Sequence, residues 1–269
     1  MRLAFIGGGI MSEAILAGVL HRGLAKSSEI VIGEPLEDRR TYLMETYKVT
    51  SIPENNQAIK GAELLILAVK PQDLRSVLAG LCCTLKSDQT VLSIVAGARL
   101  STLIRGLSHS AVIRVMPNTP TRVSAGMSVW TAAPEVSTEA LQATTNLLEA
   151  MGSQRYVDEE KYLDMATALS ASGPAYVWLF LESLIDAGVT LGLPREFASM
   201  LATQTLLGSA KMATETGWTP TELRHQVTSP GGTTAEALLV LEDGAFRATI
   251  IQAVLAAYER SQELGADQE

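Results

Sequence analysis

The chain has 269 residues, more than a single domain usually holds, so about two domains with separate cores are expected. Its formal charge of −8 provides no basic field for a phosphate backbone, which argues against nucleic acid as a principal partner. Cys82 and Cys83 are adjacent, and His21, His109 and His225 are scattered, so neither a disulfide framework nor a bound metal is expected.

Leu3–Ile6 is a short apolar run stopped by three glycines, too short for a secretory core, and it reads as a first strand. With no targeting segment expected, a reducing, cytoplasmic setting follows. Further strands are predicted at 30–32, 64–68, 90–94, 112–115 and 127–131, with helical stretches between most of them. That alternation predicts parallel strands joined by crossovers, an N-terminal α/β domain of Rossmann type with a doubly wound sheet over residues 1–159. From Asp158 onward helical periodicity takes over, and residues 160–269 are expected to form an all-helical domain for substrate binding and dimerisation. Its helices are predicted over 159–192, 195–216, 220–227, 233–243 and 245–264, with an acidic tail at 265–269 expected to fray. The apolar stretch 175–193 carries Glu182 and Asp186, which a bilayer span would have to bury, so no membrane association is expected. Val177 to Leu181 place large apolar groups almost all round that helix, which calls for a partner subunit.

The first strand runs straight into Gly7-Gly8-Gly9-Ile10-Met11-Ser12, with a helix predicted over 10–23. In the G-x-G-x-x-G/A pattern the first glycine permits a tight turn and the second lets the backbone approach a pyrophosphate at a helix amino end. Gly7 and Gly9 fill those places, and Ser12 replaces the third small residue. Glu34 follows the second strand, where a carboxylate can accept hydrogen bonds from a ribose; it also reads as a solvated loop residue. Arg39 and Arg40 either turn inward and offset its charge or lie on a helix surface. Lys70 and Asn118 follow later strands and emerge at the presumed ligand edge, as cofactor or substrate contacts or as ordinary turn residues.

Ser229-Pro230-Gly231-Gly232-Thr233-Thr234 precedes another helix. Thr233 and Glu236 fit a T-x-x-E capping box with Thr233 as N-cap, while the glycines also expose backbone N–H groups to an anion such as a substrate carboxylate. In Ser172-Gly173-Pro174, small residues precede a proline-started helix, which fits close helix packing.

FIGGGIMSEAI at residues 5–15, LAVKP at 67–71, MPNTP at 116–120, SGPAY at 172–176, LGLPR at 191–195, GSAKM at 208–212 and SPGGTT at 229–234 follow in order along almost the whole chain. In this ordered set the sequence resembles the pyrroline-5-carboxylate reductases, the last enzymes of proline biosynthesis. The resemblance implies an oxidoreductase that uses NADPH or NADH to reduce 1-pyrroline-5-carboxylate to L-proline. It implies helical domains interlocked in a homodimer, often built into decamers, with active sites shared between subunits. It matches Gly7, Gly9, Ile10 and Met11 to the pyrophosphate loop and Asn55 and Lys70 to cofactor contacts. Asn118, Gly232, Thr233 and Thr234 match substrate-binding positions, with the Thr234 hydroxyl meeting the ring nitrogen as the catalytic group. Glu34-Pro35 stands where many members carry an Asn-Arg pair, so a preference for NADPH does not follow. Reduction of a cyclic imine needs no histidine acid, because the nitrogen can arrive protonated.

Two rival readings share the plan. A related cyclic imine reductase or 3-hydroxyacid dehydrogenase is one, although the latter calls for a lysine on the first substrate-domain helix, and Lys161 is too early and Lys211 too late. A nonenzymatic dinucleotide sensor is the other.

Overall fold

The structure is a computed structural model, and it describes residues 1–266. Eight strands form one sheet: β1 (Leu3–Ile6), β2 (Ile30–Gly33), β3 (Thr50–Ile52), β4 (Leu64–Leu67), β5 (Thr90–Ser93), β6 (Val112–Met116), β7 (Gly126–Ala132) and β8 (Gly152–Tyr156), in the order β3-β2-β1-β4-β5-β6-β7-β8. Connecting helices are α1 (Ile10–His21), α2 (Glu37–Tyr47), α3 (Asn55–Ala58), α4 (Pro71–Leu81), α5 (Leu100–Leu107) and α6 (Thr138–Glu149). The chain leaves β1 toward β2 on one side and comes back to β4 on the other. The carboxyl end of β1 therefore faces the crevice where doubly wound folds take ligands.

Alternation within the strands explains the layers. Leu3 and Phe5 pack with Ile30, Ile32 and Ile66 on one side, while Ala4 and Ile6 pack with Leu65, Leu67 and Val91 on the other. A sheet covered on both faces needs such continuous apolar strands. α4 illustrates the covering helices: Pro71 opens it, where a missing N–H costs nothing, and Leu74, Leu78 and Leu81 repeat on its buried side.

Two features depart from the sequence expectation. β6 and β7 are antiparallel, because only a short 3₁₀ turn at Thr119–Val123 joins them and no crossover helix intervenes. The sheet also gains β3 and β8, which are short and partly polar. β8 is held in register on β7 by the Trp130 indole N–H, which donates to Gln154 (2.7 Å), and by an edge contact of Trp130 with Tyr156.

The predicted helix over 159–192 is divided into α7 (Lys161–Ala166), a π-helical turn (Thr167–Ala171) and α8 (Gly173–Thr190). Pro174 has no N–H to give the Ser170 carbonyl, which instead accepts from the Asn118 side-chain amide at 3.3 Å. α9 (Arg195–Thr216), α10 (Pro220–Gln226), α11 (Thr233–Asp243) and α12 (Phe246–Ala266) complete the chain.

The compact units do not divide at residue 160. Among the described residues, one comprises Met1–Ser172 together with 257–266, the other Gly173–Ala256. Arg114 on β6 explains why α7 stays with the sheet: its guanidinium binds Glu160 (2.8 Å) and Asp164 (2.9 Å). The tail also differs from expectation, since α12 runs through Gly265 and Ala266, and Gly265 is buried near Gly97 and Arg99. The remainder of the predicted frayed tail, 267–269, lies outside the described residues.

The helical unit leaves much of its apolar surface uncovered. Val177, Trp178 and Leu179 on α8 are more than half exposed, as are Val240 on α11 and Ile251 on α12. Within it, α10 carries a capping box that the sequence reading passed over. Thr219 Oγ1 accepts from the Glu222 N–H, and Glu222 accepts from the Thr219 N–H (2.7 Å). Thr219→Ala should lower stability by about 1 kcal/mol, read as a fall in the urea midpoint at constant slope. An unchanged midpoint would show that α10 does not depend on this cap.

Candidate functional site

The glycine turn after β1 is dictated by its backbone. Gly7 has φ +96°, a region that favours glycine, and a Cβ there would lie 2.8 Å from the Ala68 carbonyl oxygen of the neighbouring strand's end. Its N–H donates to the Gly33 carbonyl (2.8 Å), which ties the turn to β2. Gly9 is the N-cap of α1, and a Cβ there would meet nothing within 4 Å. The first intrahelical bond is given by Glu13 to Gly9 O (2.9 Å), so the N–H groups of Ile10, Met11 and Ser12 stand ahead of the helical ladder. An open approach at Gly9 beside these N–H groups fits a dinucleotide pyrophosphate. Ile10 is well exposed and Met11 half-buried.

Glu34 is not a solvated loop residue. It is 7% exposed, and its carboxylate accepts from the Gly8 N–H (2.8 Å) and the Leu36 N–H (2.9 Å). Asn55 sits against Gly33, where a Cβ would collide with its amide oxygen, and that oxygen is buried without a hydrogen-bond partner. An orphaned acceptor beside the end of β2 suits a ligand hydroxyl.

Both arginines of α2 turn toward this turn and donate to the protein. Arg39 Nε donates to Gly8 O (2.6 Å) and its guanidinium pairs with Glu13, while Arg40 donates to the carbonyls of Glu34 (2.9 Å) and Pro35 (2.7 Å). Glu13 also accepts from the hydroxyls of Tyr42 and Tyr47, both at 2.8 Å. Burial raises its pKa, but Arg39 and the two tyrosines outweigh that and hold the carboxyl below its usual range. Burial, with the adjoining Glu13 carboxylate, pushes the Tyr47 hydroxyl up to about 12. Sequence reasoning missed this cluster; Glu13 and the tyrosines lie about thirty residues apart, and only the position of Glu13 in a first helical turn hinted at it.

Lys70 is the exposed N-cap of α4, beyond the carboxyl end of β4 and thus beside the β1 turn. Asn118 follows β6, two strands further along the sheet. The Asn118 amide oxygen accepts from the Met127 N–H (2.8 Å) and its nitrogen reaches Ser170, so it ties β7 and the π turn to its own loop.

In the helical unit, the SPGGTT loop corrects one expectation. The N-cap of α11 is Gly232, not Thr233, and no side chain caps this helix. Gly231 at φ +67° turns the chain one residue earlier than the capping box requires, and the Gly232 carbonyl takes the first helical bonds from Ala235 (3.0 Å) and Glu236 (3.3 Å). Thr233 and Thr234 are therefore the first two helical residues, with their N–H groups at the positive end of the helix dipole. Thr233 is exposed and Thr234 half-buried.

A glycine turn at the switch point of a mostly parallel sheet, joined to a separate all-helical unit, defines a Rossmann-type nucleotide-binding protein of two-part plan. Residues 2–97 match the family model described as NADP oxidoreductase coenzyme F420-dependent, and residues 160–264 match the one for pyrroline-5-carboxylate reductase dimerisation. The pyrroline-5-carboxylate reductase of Synechocystis sp. is 46% identical over 98% of both chains, and that of Escherichia coli 37% over 98% of both. Among solved structures, the pyrroline carboxylate reductase of Plasmodium falciparum with NADP bound superposes with a TM-score of 0.90 at 32% identity, covering 98% of each chain. The chain belongs to the pyrroline-5-carboxylate reductase family.

Proposed function

We propose that the chain reduces 1-pyrroline-5-carboxylate to L-proline with NADPH or NADH, as the final step of proline biosynthesis in the cytoplasm. The observation that carries this reading is the similarity to named reductases over almost the full length, both units included. When bound, the reduced nicotinamide supplies a hydride for the imine carbon. Residues 1–159 hold the cofactor and 160–269 supply the substrate loop and the partner-facing helices, a functional division that cuts across the compact units, since α7 and the end of α12 pack with the sheet. Gly7, Gly9, Ile10 and Met11 receive the pyrophosphate, and Glu34, Asn55 and Lys70 contact the rest of the dinucleotide.

N–H groups of Gly232 to Thr234 hold the substrate carboxylate, and the Thr234 hydroxyl meets the ring nitrogen. The N-terminal turn of α11 supports this assignment through Thr233 and Thr234, whose N–H groups precede the helical ladder, while the Gly232 N–H also donates to the Ser229 carbonyl (3.0 Å). Asn118 orders the substrate side of the site through its ties to Met127 and Ser170. The uncovered apolar surface of α8, α11 and α12 supports a homodimer formed by these helices, with a decamer as its further assembly. The stretch Lys161–Thr190 is long and apolar enough to cross a bilayer, but Glu182, Asp186 and the dimerisation match favour an interface helix.

The test is to follow NADH and NADPH oxidation with pyrroline-5-carboxylate and with its six-membered homologue. Turnover of the five-membered ring is expected. Cofactor binding without turnover of either imine would overturn the enzyme reading in favour of a sensor.

NADH should serve at least as well as NADPH. Glu34 places a carboxylate near the ribose, Pro35 stands where a phosphate-binding arginine is expected, and Arg39 and Arg40 donate to Glu13, Gly8 and the carbonyls of Glu34 and Pro35. Replacing Glu34 by Asn and Pro35 by Arg should move the ratio of kcat/KM values toward NADPH. A native protein that favours NADPH by about a hundredfold would overturn this and point to Arg39 or Arg40 as the phosphate ligand.

A further inference from the structure

Cys82 closes α4 and Cys83 follows in a left-handed conformation, φ +61°, which residues other than glycine seldom adopt. The Cys83 N–H donates to the Leu107 carbonyl (3.3 Å), and the next residue, Thr84, bonds back to Leu81, so the turn is held from both sides. The backbone thereby brings the two Sγ atoms to 3.4 Å, with Cys82 half-buried and Cys83 exposed. The Ser108 hydroxyl lies 3.5 Å from the Cys82 sulfur.

We propose that Cys82 and Cys83 form a vicinal dithiol site that captures trivalent organoarsenicals through both sulfurs. Ligand count selects this chemistry. A structural zinc ion takes four ligands, and no cluster of three or more His, Cys, Asp or Glu able to hold a metal occurs among the described residues. A mono-organic arsenic(III) centre is satisfied by two thiolates, and soft sulfur ligands favour soft acceptors. A disulfide between adjacent residues is the poorer use of the pair, since consecutive Cα atoms are about 3.8 Å apart and ordinary disulfides span about 4.4–6.8 Å. Hydrogen bonds from Ser108 first, and from Cys83, hold the Cys82 thiol below its ordinary pKa and so raise the thiolate fraction that attacks arsenic.

In the reaction of phenylarsine oxide with the pair, two As–S bonds form and the arsenic–oxygen bonding is lost. Both thiol protons leave with the oxygen as water, and arsenic stays trivalent. The site lies at the far end of α4 from Lys70, 11 residues or about 16 Å along the helix, so it is independent of the proposed reductase site.

Intact-mass measurement of the full chain with phenylarsine oxide tests this. One arsenical per chain is expected, with loss of both free thiols and release by 2,3-dimercaptopropanol but not by 2-mercaptoethanol at the same thiol concentration. Cys82→Ser and Cys83→Ser should each weaken capture by at least about a hundredfold, because either change removes the chelate. Two arsenicals per chain, release by the monothiol, or undiminished capture by either single variant would overturn the proposal. The adduct mass and thiol count of the unaltered protein decide the matter even if a variant folds poorly.

Discussion

Arg114→Met should cost about 3–5 kcal/mol of unfolding free energy. Arg114 is 3% exposed on β6, with one guanidinium nitrogen 2.8 Å from Glu160 and another 2.9 Å from Asp164. Glu160 also accepts from the Leu100 N–H at the start of α5, and Asp164 faces Ser261 on α12 at 3.4 Å. Removing the cation leaves two partly buried carboxylates beside each other without a counter-charge, and the methionine stem restores only the packing. Urea unfolding should show a lower midpoint at unchanged slope. A loss below about 1 kcal/mol, the range of exposed ion pairs, would show that this network does not tie α7 to the sheet.

Thr234→Ala should reduce kcat/KM for the imine by roughly 10- to 150-fold, because a hydrogen bond to a charged partner is worth about 1.5–3 kcal/mol. Affinity for the nicotinamide cofactor should stay as it was. Thr233→Ala is the control, and the placement of the cap at Gly232 changes what it should do. With no side-chain cap to lose, its effect on stability should lie within about 0.5 kcal/mol. Full activity in Thr234→Ala, or simple unfolding, would remove the catalytic role proposed for this hydroxyl.

Much of this architecture is legible in the residues because backbone requirements and periodicity are local signals. Gly7 could be assigned its turn from sequence, since a glycine triplet between an apolar first strand and a helix marks a tight turn, and α9 and α11 have the boundaries that their Gly and Pro punctuation implies. β3 and β8 were illegible for the opposite reason. Thr50–Ile52 and Gly152–Tyr156 carry little apolar alternation, and they are strands only because an existing sheet edge offers them partners. The antiparallel step at β7 depended on the length of a connection rather than on either strand. In the candidate site, the glycine loop and Glu34 could be found by position, whereas the buried contacts of Glu34 and the Glu13 cluster join residues far apart in the chain. The one-residue shift of the α11 cap shows a similar limit: T-x-x-E fitted at Thr233, but the left-handed Gly231 decided where the helix began.

The end of α12 has a practical consequence for anyone who shortens or tags this chain. Residues 257–266 belong to the unit that carries the glycine turn, and the backbone at Leu264 lies so close to Gly97, at φ +75°, that a Cβ on Gly97 would come within 3.1 Å of it. A truncation meant to trim the helical unit would thus strip a covering from the sheet beside β5 instead. The unit that carries the glycine turn is discontinuous along the chain, so an isolated version that keeps this packing joins residues 1–172 to the closing helix.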